Sequence, residues 1–173
     1  MNQHSMHLRR GALAAALTLA AGSAWAANPA TTTFQVTATV LKACTVAATA
    51  LAFGNYTPTA GPVTNSSTIS VACTKTSPYT VTLNGGRTAG GTIAQRLMSN
   101  GTQTLQYNLY TTNGYATLLG DGTTAGSANV TGTGGGLSAA TTITVYGRLP
   151  DSAANQAVPA GNYTDTITVS VAY

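Results

Sequence analysis

The chain contains no glutamate, and its two histidines, His4 and His7, and its single tryptophan, Trp25, all fall within the first 26 residues. Beyond them the acids are Asp121, Asp151 and Asp165, and the bases are Lys42, Lys75, Arg87, Arg96 and Arg148. Five cations against three anions leave a net charge of +2 there, against +4 for all 173 residues. General acid–base and nucleophilic catalysis need a group that carries a proton near neutral pH, or an activated nucleophile. Three aspartates far apart in sequence offer neither, and each has a plain position in a turn, a loop or a strand start, so the chain is not expected to be an enzyme. Five scattered cations make no basic patch for nucleic acid. Two cysteines without a histidine are too few ligands for a metal site. No cofactor is expected: the glycine cluster from Gly132 to Gly136 is not followed by the helix that a phosphate cradle requires.

Long hydrophobic runs are missing too. The longest, from Gly11 to Ala21, is about a dozen residues, where a bilayer needs about 20. It follows the cations Arg9 and Arg10 and precedes Ala24-Trp25-Ala26, a small-x-small cleavage site. Residues 1–26 therefore read as an export signal, with no membrane span in the mature chain. Export implies an oxidising compartment, in which Cys44 and Cys73 are expected to pair; two free thiols are the rival reading.

Threonine, glycine, alanine, serine, asparagine and valine dominate what remains, and no helical apolar stripe follows the leader. Short alternating runs recur between glycine, proline and asparagine clusters, the pattern of an all-β sandwich or barrel. Phe34, Val36, Ala38 and Val40 share one face of the first run. Cys44 to Val46 begin a second, which leads to Leu51 and Phe53. Ile69, Val71 and Cys73 share a face in the third, and Tyr79, Val81 and Leu83 in the fourth. Asn100-Gly101 signals a tight hairpin between 95–99 and 104–111. Val130, then Ile143 and Val145, mark two further strands. Ile167, Val169, Val171 and Tyr173 alternate with Thr166, Thr168, Ser170 and Ala172 in the last. Tyr56, Tyr107, Tyr110, Tyr146 and Tyr163 are either half-buried packing residues or parts of a sugar-binding face.

Several strings in order carry a resemblance. They are Cys44-Thr45-Val46 with Leu51-Ala52-Phe53-Gly54-Asn55-Tyr56, then Ile69-Ser70-Val71-Ala72-Cys73-Thr74, then Arg96-Leu97-Met98-Ser99-Asn100-Gly101 before Leu105-Gln106-Tyr107-Asn108-Leu109-Tyr110. Thr144-Val145-Tyr146-Gly147-Arg148-Leu149-Pro150 and Val158-Pro159-Ala160-Gly161-Asn162-Tyr163-Thr164-Asp165 follow. Over about residues 40–173 the chain resembles the spore coat protein U domain, the fold of archaic, Csu-type chaperone–usher pilins. The resemblance implies an immunoglobulin-like antiparallel β-sandwich that lacks one strand and is completed by donor-strand exchange. A periplasmic chaperone would lend a strand during export, an outer-membrane usher would assemble the polymer, and a neighbouring copy or related subunit would supply the final strand.

The implied division is a signal peptide at 1–26, a donor segment at 27–41 and a sandwich at 42–173. Phe34, Val36, Ala38 and Val40 would be the donor face, and Ile167, Val169, Val171 and Tyr173 the strand that pairs with the chaperone. Periodicity alone leaves open whether the first run is donated or is the first strand of its own sandwich. The implied function is a structural subunit of a surface fibre or coat supporting adhesion or biofilm formation. An adhesin-type binding module and a coat unrelated to pili are the alternatives.

Overall fold

The structure, a computed structural model, describes residues 29–173; the expected signal peptide lies outside the described residues. Residues 29–38 belong to a unit separate from Thr39–Tyr173. None of residues 29–43 is in a strand. Phe34 is 84% exposed, Val36 81% and Val40 87%, and Ala38 is exposed as well.

The second unit holds ten strands and one short helix. They are β1 (Cys44–Ala48), β2 (Val63–Cys73), β3 (Pro78–Leu83), β4 (Arg96–Ser99), β5 (Thr104–Tyr110), β6 (Leu118–Leu119), β7 (Ser127–Ala128), β8 (Val130–Thr133), β9 (Thr141–Leu149), α1 (Ala153–Gln156) and β10 (Val169–Ala172). One sheet runs β1-β2-β9-β5-β6-β7, with β4 on β5; the other runs β10-β3-β8. Every pair is antiparallel except β6 with β7. In chain order, β1, β2, β9 and β5 occupy the A, B, E and D positions of an immunoglobulin constant-type sandwich, and β3 and β10 the C and F positions. Position G, on the outer edge of β10, is filled by no described residue.

Strict alternation builds the core, because successive side chains of a strand point to opposite faces. Ile69 and Val71 of β2, Leu105, Tyr107 and Leu109 of β5, and Val145 and Leu149 of β9 face inward from one sheet. Tyr79, Val81 and Leu83 of β3 answer from the other, with Val169 and Val171 of β10 half-buried beside them. Cys44 and Cys73 face each other across β1 and β2 and are bonded. The bond closes a separation of 29 residues; in the chain-entropy picture such a closure contributes about 3–4 kcal/mol.

The hairpin falls where Asn100-Gly101 signals it: Ser99 pairs with Thr104, and residues 100–103 connect the strands. Asn100 Oδ1 accepts from the backbone N–H of Thr102 and Gln103, and the turn closes on that side chain. The last strand is shorter than its alternation, beginning at Val169 rather than Ile167 and stopping before Tyr173. Its burial still alternates from Tyr163 to Val171, but at Thr168 the backbone N–H is taken by the Asn84 side chain at 2.9 Å instead of a neighbouring strand.

Candidate functional site

The sandwich is open along one side. A cavity of about 1280 Å³ lies between residues 48–58, which continue β1, and residues 158–169, which lead into β10. Its floor is core: Ile69, Leu83, Leu105, Leu109, Val145 and Leu149 all line it. Small-molecule pockets usually measure about 300–1,000 Å³, so this opening exceeds that class. Two edge strands bound it, and neither has a partner on the cavity side. For β10 the polarity of that edge follows from register. Asn84 N donates to Thr168 O at 3.2 Å, and Ser170 and Ala172 follow in the same phase opposite Thr82 and Thr80. Backbone groups alternate sides along a strand. The N–H and C=O of Val169 and Val171 therefore point to the unpaired edge while their side chains point into the core.

Beyond the Ser99–Thr164 bridge and the bond from Thr49 N to Thr68 O, each wall is held by a carboxylate. Asp151 accepts from Tyr56 Oη at 2.5 Å, from the backbone N–H of Thr59 and Gly61 at 3.2 and 3.0 Å, and from Gln156 Nε2 at 3.1 Å. The Tyr56 hydrogen bond, followed by the other donors, holds the Asp151 carboxyl below the usual carboxylate range. Burial, then the same hydrogen bond, pushes the Tyr56 phenol up to about 12. Asp165 accepts from Tyr107 Oη at 2.6 Å and from the backbone N–H of Arg87 and Thr88 at 2.9 and 3.0 Å. Burial pushes its carboxyl up, but Tyr107 and the backbone donors outweigh it and the net shift is downward. Leu51 and Phe53 enter the sandwich over Gly147, where the inner face of β9 is bare; a β-carbon there would meet Leu51 Cδ1 at 2.7 Å and Phe53 Cζ at 3.0 Å.

Of the residues singled out from sequence, Ile167 and Val169 line the opening, Val171 is half-buried next to it, and Tyr173 is 55% exposed. Val46, on the inner face of β1, is 44% exposed, large for an apolar residue opposite the buried Val71. Sequence reasoning missed Arg96 and Asn155, both fully buried. Arg96 donates to Asn84 O, Leu119 O and Asn108 Oδ1, joining the end of β3 to β6 and β5. Burial lowers its pKa, against the opposing influence of Tyr107 and Asp165. Asn155 in α1 accepts from Gln106 N and donates to Gln106 O and Pro150 O, acting as a strand partner for β5 where β9 has ended. An arginine or asparagine in a polar-looking string gives no sign of burial. The tyrosines divide: Tyr107 and Tyr56 hold the carboxylates, while Tyr110 and Tyr146 face each other across β5 and β9. Among the described residues no three His, Cys, Asp or Glu side chains gather as a metal site, and no helix is long and apolar enough to cross a membrane.

Fold and opening together define an immunoglobulin-like sandwich with one edge position unfilled. A profile of the Spore Coat Protein U domain matches residues 30–170, and the chain belongs to that family. A solved structure similar to it is the CsuC–CsuE chaperone–tip adhesion subunit pre-assembly complex from the archaic chaperone–usher Csu pili of Acinetobacter baumannii. The match has 24% identity and a TM-score of 0.52, and covers 78% of this chain and 40% of that one. The present chain thus spans less than half of its neighbour's length, and the likeness is one of fold. No curated protein matches the sequence.

Proposed function

We propose that this chain is a structural subunit of a secreted surface fibre, polymerised by donor-strand complementation along a chaperone–usher pathway. The observation that carries the reading is the open side of the sandwich, where core residues line a cavity beside the unpaired edge of β10. An unpaired apolar edge invites association unless something covers it, and strand addition supplies both backbone hydrogen bonds and pockets for alternate side chains. Residues 27–41 of another copy are the proposed occupant, with Phe34, Val36, Ala38 and Val40 facing inward. Each large side chain so buried contributes about 1.5–3 kcal/mol, before the cost of ordering the segment. Before polymerisation a periplasmic chaperone strand would hold the same edge, along Ile167, Val169, Val171 and Tyr173, and an outer-membrane usher would receive the complex. Residues 1–26 are the export leader in this scheme, 42–173 the body, and the cell surface the destination. The family of the chain and the chaperone-bound neighbour of like fold support the reading, which assigns the chain no reaction.

The test is deletion of residues 28–40. The exported variant is expected to accumulate without forming fibres; fibres of normal length and yield would contradict the proposal. A coat unrelated to pili is the second reading, favoured by the family's own description. Chaperone and usher genes beside this one would support the fibre, and their absence the coat.

A further inference from the structure

Across the larger sheet lies a second, smaller depression of about 230 Å³, lined by Gln106, Asn108, Tyr110 and Arg148 among others, and it shares Tyr107 with the groove. Register explains the gathering. Asn108 faces Arg148 and Tyr110 faces Tyr146, and all four alternate with the inward-facing Leu109 and Gly147. The Arg148 guanidinium lies over the Tyr115 ring, 5.5 Å from its centroid. Tyr115 in turn meets Tyr110 edge to face, with centroids 5.4 Å apart. Tyr115 has a backbone φ of 53°, a left-handed conformation that is uncommon for a bulky side chain and that clusters at ligand sites. Arg148 is half-buried, and its guanidinium nitrogens make no hydrogen bond or ion pair among the described residues and stay open to solvent. Asn108 is spent on Arg96 and on Ala94 O, whereas the Gln106 amide nitrogen remains uncommitted beside a long contact from Ser152 to its oxygen.

We propose that this depression binds a carboxylated sugar, a hexuronate unit of an acidic polysaccharide. Five donors in a planar fork, set over an aromatic ring and open to solvent, match a carboxylate bidentately. Tyrosine presents an apolar ring body with a polar tip, suited to the mixed surface of a pyranose, and the free amide of Gln106 serves its hydroxyls. A volume below the usual range for drug-sized ligands fits one ring rather than several.

The experiment titrates the purified full chain with tetragalacturonate, following binding by saturation-transfer NMR. The uncharged cellotetraose and plain acetate are controls. Binding of tetragalacturonate below about 10 mM, with neither control bound, is expected. Arg148→Gln and Tyr115→Ala are each expected to weaken it about tenfold or more, while Lys75→Gln leaves it unchanged. Equal binding of cellotetraose, equal binding to the Arg148→Gln and Lys75→Gln variants, or no binding at all would overturn the proposal. If Arg148→Gln unfolds the chain, Tyr115→Ala alone decides.

Discussion

Asp165 shows how much a single carboxylate holds here. It ties the segment that forms one wall of the groove to Tyr107 on the sheet and to the loop after β3. Asp151 does the same for the other wall through Tyr56, Thr59 and Gly61. Both carboxyls are held below their ordinary range. A carboxyl with a depressed folded-state pKa binds fewer protons folded than unfolded. Its contribution is therefore present above the unfolded value of about 4 and is lost as pH falls through the lower folded value. Thermal midpoints of the full chain are accordingly expected to be flat near neutrality and to fall below about pH 4. Asp165→Asn is expected to lower the midpoint at pH 7 and to flatten the acid limb; a parallel curve for the variant would show that this carboxylate is not the sensor. Little at this scale was legible beforehand. Asp165 reads as a strand start and Asp151 as a loop residue, because their partners are backbone N–H groups and a tyrosine 58 and 95 positions away. Arg96 alternates in register with Met98, but an arginine in a strand reads as solvated until its three acceptors are seen around it.

At the level of elements, period two carried most of the information. The buried sets on β2, β3, β5 and β9 fall on the alternating residues that the sequence displays. Where alternation outran the strand, hydrogen bonding outside the ladder was responsible: the Asn84 side chain occupies Thr168. The single-turn helix α1 has too few residues to display a period; its Ser152 cap is the only local signal. Gly147 is the element-scale feature most open to test. It lies on the inner face of β9 between Val145 and Leu149, and its missing side chain admits Leu51 and Phe53. Gly147→Val is expected to push residues 51–53 out of the sandwich and to cost about 1–3 kcal/mol, the usual penalty of overpacking. Urea denaturation would measure the loss, and loss of the edge-to-face contact of Phe53 with Tyr107, at 5.9 Å between centroids, would show in tyrosine fluorescence. An unchanged midpoint and an unchanged spectrum would mean that the wall does not depend on this gap.

For the whole molecule, the two sheets follow the strand order of a constant-type immunoglobulin sandwich with its last position empty. The alternating, exposed segment before β1 supplies the residue types that such a position takes. The fold class was legible because short alternating runs with turn residues between them admit few other architectures. The opening was not legible from periodicity, since an inward face is written the same way whether its own chain or another covers it. A direct measurement places a benzoyl-phenylalanine at position 36 of the full chain, in fibres assembled from a mixture of heavy- and light-nitrogen subunits. Strand donation predicts covalent ladders after illumination, with mixed-isotope cross-links from position 36 to the groove floor around Leu105, Leu109 and Val145 or to Val169. Cross-links only within single chains, or none to these residues in fibres that assemble normally, would contradict it.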